Sequence, residues 1–408
     1  MAEHITTSDL LAQETKRNPY AFYARLREQA PLTYVSNLQG LGGAWITTGY
    51  DDAVAILRDT RFTQDAQKVL LSDDGLASNA ENAAARRLIA WRRDMLTVDP
   101  PDHTRLRGLF SKVFTPRMIE HLRPHIQQVT DELLDAVQER GEMDLISDFA
   151  FPLPITVISE MLGIPPEDRQ QVRIWTQGLM TVSADNPKGE TSSSAMEAFI
   201  NYNKTLIEKK RAHPGDDLVS GLVQNNGQEE TLSDKELIST IFLLIIAGHE
   251  TTLNLISNGT LALLEHPEQM RMLQQDPSLI PAALEELLRY TSPVSLCSIR
   301  WAKEDIPMHG EVIRKGDMVL VSLIAANSDP AKFTNSAELD ITRQINRHVA
   351  FGKGIHICIG APLARMEGQI AFTTLLQRMP HLRLAVKPEQ LTWNHTPMRS
   401  LTRLPVTF

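Results

Sequence analysis

Residues 233–265 read as one long helix, and this segment most limits what the chain can become. Ser233 is placed to cap it, and Glu236 three residues later completes a capping box. Its longest apolar run, IFLLIIAG at 241–248, falls well short of the roughly 20 residues needed to cross a bilayer. The helix is therefore expected inside a protein and not across a membrane. With 408 residues, 42% of them hydrophobic, the chain can bury a core of considerable size. No repeat, low-complexity tract or Pro/Gly/Ser linker divides it, so residues 1–408 are expected to form a single domain with 1–17 as a flexible N-terminus.

Other segments extend the helical pattern. NPYAFYARLREQA opens with Asn18 as N-cap and Pro19 at the first helical position. DDAVAILRD, PRMIEHLRPHIQQVTDELLDAVQER, AMEAFINYNKTLIEKKRA and LIPAALEELLRY carry apolar residues at helical spacing. Strand signals fall in two zones: AWITTG near the start, then VSLCSIRWA, EVIRKGDMVLVS, LRLAV and LTRLPVTF after residue 290. The class is mainly α with small β-sheets (α+β). Residues 64–97 and 183–194 have loop composition; loops of that length often serve as lids or binding loops, and plain disorder fits the composition equally well.

A net charge of −9 and a pI near 5.8 argue against nucleic acid as a general partner. Two cysteines, Cys297 and Cys358, form no disulfide framework and no CxxC pair, which fits a reducing compartment. The first 20 residues contain acids and no apolar core of a signal peptide, so a cytoplasmic protein is expected.

One of those cysteines lies in AFGKGIHICIGAPLAR, residues 350–365. Gly352, Gly354 and Gly360 permit positive φ and close approach of something flat or bulky. The residues after Cys358 read as a helix with Pro362 in its first turn, so the thiol sits where unpaired N–H groups favour a thiolate. A cysteine alone is more readily a buried space-filler, but the glycines and His356 weaken that reading. Other motifs fail on inspection. GKGIHI lacks the third glycine of a dinucleotide loop, and no phosphate-binding G-x-x-x-x-G-K-[ST] occurs. Position 253 is Leu253, so His249-Glu250 does not begin a zinc-protease motif.

Phe351, Gly354, Cys358 and Gly360 form F-x-x-G-x-x-x-C-x-G, continued by Ala361 and Arg365. This resembles the heme-binding signature of the cytochrome P450 family, in which a cysteine thiolate holds heme iron. The resemblance implies the P450 fold, with a long distal helix crossing the heme and a cysteine loop on the proximal side. It implies heme b as cofactor, Cys358 as axial ligand of the iron, and Phe351 as a shield for the sulfur.

The long helix carries AGHETT: Ala247, Gly248, His249, Glu250, Thr251 and Thr252. A mid-helix glycine is unfavourable by about 1 kcal/mol against alanine, so Gly248 is read as leaving ligand space. By resemblance to the family's distal motif, Glu250 and Thr251 are the acid and alcohol that relay protons, and Ala247 and Gly248 border the cofactor. Read alone, the same residues could be a solvated glutamate and threonines bonding back to their own helix. His103 and Arg107 share a helix face at i and i+4. With Arg300 and His356 they match the family's propionate-binding positions. Glu286-x-x-Arg289, with Arg343 as its partner, matches a fold-forming element of the family. Arg347 stands where the family usually has proline, which leaves the loop less rigid.

By family position the substrate pocket draws on 64–97, 170–200, Leu243, Leu244, Val294, Leu296, Cys297 and the turn at Pro397–Met398. These are largely apolar, so a lipophilic substrate is expected: a macrolide, steroid, terpenoid or fatty acid. The reading is a monooxygenase that uses dioxygen and two electrons from a separate ferredoxin and reductase. Arg105, Lys112, Lys353 and Arg365 are expected to form a basic dock for that partner. A peroxide-driven peroxygenase or a non-enzymatic heme sensor would not need the acid–alcohol pair.

Overall fold

The computed structural model describes residues 5–36, 38, 42–70, 90–180, 190–224 and 231–408. The capping box forms as read: Ser233 Oγ accepts from the Glu236 amide, and Glu236 accepts from the Ser233 amide at 2.9 Å. The helix it starts runs 32 residues, Asp234–Glu265, and is buried along most of its length. Among the described residues it is the one helix long and apolar enough to cross a membrane, and its apolar face is spent on the protein core. Helices Pro152–Met161, Ile280–Thr291 and Ala361–Arg378 pack around it, as does Glu190–Ala212. Helix Pro19–Gln29 begins at Asn18, whose side chain accepts from the Ala21 amide at 3.4 Å. The expected long helix after Pro116 is broken into Pro116–His121 and Arg123–Gln138.

Eleven short strands are present among the described residues: β1 Ile5–Thr6, β2 Leu32–Ser36, β3 Ala44–Thr47, β4 Phe62–Thr63, β5 Glu142–Asp144, β6 Arg300–Ala302, β7 Ile306–Met308, β8 Glu311–Ile313, β9 Met318–Val321, β10 Arg383–Leu384 and β11 Pro405–Thr407. They form a six-stranded sheet of order β1-β2-β3-β9-β6-β4, a three-stranded sheet β10-β11-β5 and a hairpin β7-β8. In the large sheet β3 runs parallel to β9 with Trp45 opposite Val319, and β6 runs antiparallel to β9 with Arg300 opposite Val319. A separate apolar cluster, including Val35, Ile46 and Leu320, fills the space beside this sheet.

Residues 5–17 are not the flexible end expected from sequence. β1 pairs with β2, Thr6 caps a helix over Thr7–Leu11, and a second helix spans Gln13–Arg17. Gln13 exchanges two hydrogen bonds with the Trp393 backbone, at 2.7 and 2.8 Å. The Lys16 ammonium donates to the carbonyls of Thr396 and Met398. Burial, with the nearby Arg399 charge, brings the Lys16 ammonium down to about 8. Of the two expected loops, 71–89 and 183–189 lie outside the described residues. The flanks that are described are partly helical, Ala66–Leu70 before the first and Glu190 onward after the second.

Glu286 and Arg289 are fully buried and form a bidentate pair at 2.7 and 2.8 Å. Arg343 reaches the same carboxylate at 3.1 Å, joined by Asn346 Nδ2 and the Asp340 amide. Arg289 spends its remaining N–H groups on the carbonyls of Asn327, Ser336 and Glu338. A buried ion pair is tolerable when its lone pairs and protons are satisfied in this way. Arg347 leaves the following loop less free than its lack of a proline ring suggests, because Tyr50 Oη donates to its carbonyl at 2.6 Å.

Candidate active site

The loop 348–360 is held through its backbone groups, by bonds within the loop and to side chains outside it. The Val349 amide donates to Asn327 Oδ1, the Gly352 amide to the Val349 carbonyl, and the Cys358 amide to the Phe351 carbonyl at 2.9 Å. Gly354 has φ +75°, and a Cβ there would fall 2.2 Å from the Leu57 carbonyl, so the loop can lie on the end of helix Tyr50–Arg58 only with glycine. Gly352 also has positive φ, at +71°. Gly360 does not: its φ is −80°, and it serves as N-cap of helix Ala361–Arg378, close to the Cys358 sulfur.

The Cys358 thiol is exposed to a cavity of about 330 Å³. Burial pushes its pKa up, opposed by the amides of Gly360 and Ala361 and by the charges of Arg107 and Arg365. The helix N-terminus acts as expected, but desolvation outweighs it. A cation brought into the cavity would favour the thiolate.

Three of the four expected donors line the same cavity, and the fourth, His103, packs against one of them. His103 and Arg107 come from helix Asp102–Val113, Arg300 from β6 and His356 from the cysteine loop. Arg107 and Arg300 line the cavity with His356, and Arg107 also ties the loop down through the Ile357 carbonyl at 2.8 Å. The His103 ring meets that of His356 edge-on with centroids 4.5 Å apart, and both Nε2 atoms are buried without a hydrogen-bond partner. Burial, His356 and Arg107 bring His103 down to about 4, so it is neutral near pH 7. Behind His356 stands Asp99, at 3.9 Å from its Nε2, which is too far for a hydrogen bond. Burial works against its ionisation, yet His356, Thr63 and the Gln64 amide hold the carboxyl at about 2.

The central helix forms the facing wall with Leu243, Leu244, Ala247, Gly248, Thr251 and Thr252. Gly248 borders the cavity, but what excludes a side chain is Ile158, whose Cγ1 would lie 2.9 Å from a Cβ at 248. Thr251 Oγ1 donates back to the Ala247 carbonyl at 2.7 Å. Glu250 lies off the cavity wall, half-buried, and its pKa is raised by desolvation.

A cavity with one thiol on its floor, unpartnered buried donors and two guanidiniums at its edge, and an apolar wall suits a flat, metal-bearing ring with two carboxylates. Heme b has that chemistry. A sequence model of the family described as Cytochrome P450 matches residues 185–405. Cytochrome P450 CYP107DY1 of Priestia megaterium is 54% identical over 408 residues, covering 99% of each chain. The chain belongs to the cytochrome P450 family. Polyketide biosynthesis cytochrome P450 PksS of Bacillus subtilis is 44% identical, with 97% of each chain covered, and its solved structure superposes with a TM-score of 0.88. A myxobacterial cytochrome P450, CYP267B1, solved in complex with myristic acid, is 42% identical with a TM-score of 0.91, covering 98% of this chain and 99% of that one. The protein is thus an oxidoreductase of the P450 monooxygenase type, with heme b as cofactor.

Two expected pocket residues do not line the cavity of this P450. Leu296 packs into the cluster beside the large sheet, bridging to Ser322, and Met398 sits behind the central helix with its sulfur 3.8 Å from Asn254 Nδ2. Val294 and Cys297 do line it, and Arg300 approaches Cys297 Sγ at 3.7 Å. Sequence reasoning missed Glu367, which is fully buried at the cavity edge and accepts from Thr252 Oγ1 at 3.2 Å. Desolvation raises its carboxyl to about 8 despite that bond. The signal was present as a lone acid in the apolar stripe of helix Ala361–Arg378. The expected basic dock is also reduced: Arg105 pairs with Glu236 and Arg365 with Glu285.

Proposed function

We propose that this monooxygenase inserts one oxygen atom of dioxygen into a C–H bond of a lipophilic small molecule, with Cys358 as the axial ligand of heme iron. The observation that carries the reading is one cavity lined by the Cys358 thiol, three of the four expected donors and the Thr251 hydroxyl. When bound, heme supplies the electron-accepting and dioxygen-activating chemistry that no side chain can. The chain's residues do the rest. Arg107 and Arg300 would bring positive charge to the two propionates, beside the buried Nε2 atoms of His103 and His356, which have no hydrogen-bond partner. Thr251 keeps its proton at Oγ1, donated to the Ala247 carbonyl at the cavity wall. Glu250, one residue earlier, is the acid that renews that proton; its raised pKa keeps a proton available closer to neutral pH.

Substrate class follows from the wall. Met95, Leu96, Ile158, Met161, Leu243 and Val294 offer apolar contact with Gln64 and Ser298 as polar exceptions. We assign a polyketide-like or fatty-acyl lipophile, a reading supported by the names of PksS and of the myristic acid complex. Electrons are proposed to come from a separate ferredoxin and its reductase. With Arg105 and Arg365 engaged, docking is assigned to the surface around Lys353 and the exposed Ile355 and Ile357. A cytoplasmic setting keeps the Cys358 thiol reduced. The test is titration of the ferric holoenzyme with myristic acid and with a macrolide lactone, followed by turnover under labelled dioxygen. A spin shift with one, and a product carrying one labelled oxygen, are expected. Product oxygen drawn from water would overturn the reading.

A further inference from the structure

Glu285, the residue before the Glu286–Arg289 pair, plays no part in that pair. Its Oε1 accepts from Arg365 Nε at 2.7 Å and its Oε2 from Arg365 Nη2 at 2.9 Å, a bidentate fork. The same Oε2 lies 3.1 Å from His348 Nε2. The Ala350 amide donates to His348 Nδ1 at 3.1 Å, so Nδ1 carries no proton and Nε2 must be the N–H that meets Glu285. Between these two partners lies Phe351. The Arg365 guanidinium stands 4.6 Å from its ring centroid, and the His348 ring is tilted beside it at 6.0 Å. Phe351 in turn accepts the Cys358 amide.

We propose that Glu285 is a positioning residue for Cys358: by holding Arg365 and His348 against Phe351, it fixes the loop and sets the electric field at the sulfur. This rests on the reading of Cys358 as the heme ligand. The field argument makes signed demands. Arg365 brings a positive charge toward the sulfur and Glu285 balances it. Removing the carboxylate leaves the cation unopposed, which draws electron density from the thiolate and favours the reduced, less positive iron. Removing the cation leaves the carboxylate unopposed and does the reverse.

The test uses heme-loaded protein, first confirming in the unmodified chain that reduced heme with carbon monoxide gives the thiolate-type Soret band. Without that band the ligand assignment itself fails. The reduction potential and the iron–sulfur stretching frequency are then measured in Glu285→Gln, Arg365→Gln and the double variant. Glu285→Gln is expected to raise the potential and lower the stretching frequency, Arg365→Gln to do the opposite, and the double variant to return toward the starting values. Arg365→Lys, which keeps the charge but loses the fork, is expected to move the potential less than Arg365→Gln. A purely structural role would loosen the loop in every variant and shift both readouts in one direction. That pattern, or no shift at all with the thiolate band intact, overturns the proposal. Should Glu285→Gln fail to take up heme, the contrast between Arg365→Gln and Arg365→Lys decides it, equal shifts counting against the field.

Discussion

On the Cys358 side the chain is held by directional bonds. Asn327 takes the Val349 amide, Tyr50 the Arg347 carbonyl and Phe351 the Cys358 amide, and Gly354 lies where the Leu57 carbonyl leaves no room for a Cβ. Across the cavity the wall is Leu243, Leu244, Val294 and their neighbours, held by shape and apolar contact. Hydrogen bonds specify atoms, whereas apolar contact tolerates exchange of similar volumes. The first side therefore fixes a reaction type, and the second leaves room for substrate choice to vary among relatives that share the first.

The largest expected effect breaks the first side outright. Cys358→Ser is expected to abolish the thiolate-type spectrum of the reduced carbon monoxide complex, while Cys297→Ser, on the wall, keeps it. The opposite result would move the ligand across the cavity. Next in size is a paired comparison of stability by chemical denaturation. Glu286→Gln strands buried Arg289 and is expected to cost about 3–5 kcal/mol and most of the heme content. Leu244→Ala borders open space already, so it is expected to cost no more than about 2 kcal/mol and to change which lipophile gives a spin shift. Equal costs would erase the distinction between the two sides.

Thr251→Ala probes the seam where the sides meet. Heme binding is expected to stay intact while product formation falls on the order of 10²-fold and reducing equivalents appear as peroxide. Unchanged coupling of electrons to product would remove Thr251 from the relay. The smallest effect at neutral pH concerns Glu367. Its carboxyl titrates at about 8 in the folded chain, against an ordinary 4.5. Between those values the folded protein holds a proton that the unfolded chain has lost, so this group's stabilisation is complete below the lower value and is lost as pH rises through the upper. Glu367→Gln cannot titrate, so its melting temperature is expected to gain on the parent as pH goes from 5 to 9. A constant difference across that range would show that the acid titrates normally.

What could be read from sequence was chemistry carried by residue type at short spacing. The glycines, His356 and Cys358 fall within nine residues, Glu286 and Arg289 within one helical turn, and Ser233 and Glu236 within one cap. What could not be read joins distant parts of the chain. Glu285 and Arg365 are 80 residues apart, and Thr252 and Glu367 are 115 apart. Only the packing of Ile280–Thr291 and the central helix on Ala361–Arg378 brings those pairs together. The same reason explains the errors. Gly248 does border the cavity, but the contact with Ile158 that also demands a glycine comes from another helix and leaves no local sequence signal. Arg365 looked available for docking because its carboxylate partner lies far upstream. Residues 5–17 looked flexible because their partners, Trp393 and Met398, come at the other end of the chain.

The account rests on Cys358 as a thiolate ligand, and the most direct measurement is the difference spectrum of the dithionite-reduced holoprotein with and without carbon monoxide. A strongly red-shifted Soret band is predicted. A band at the position of histidine-ligated heme, with full heme content, would contradict the assignment of Cys358.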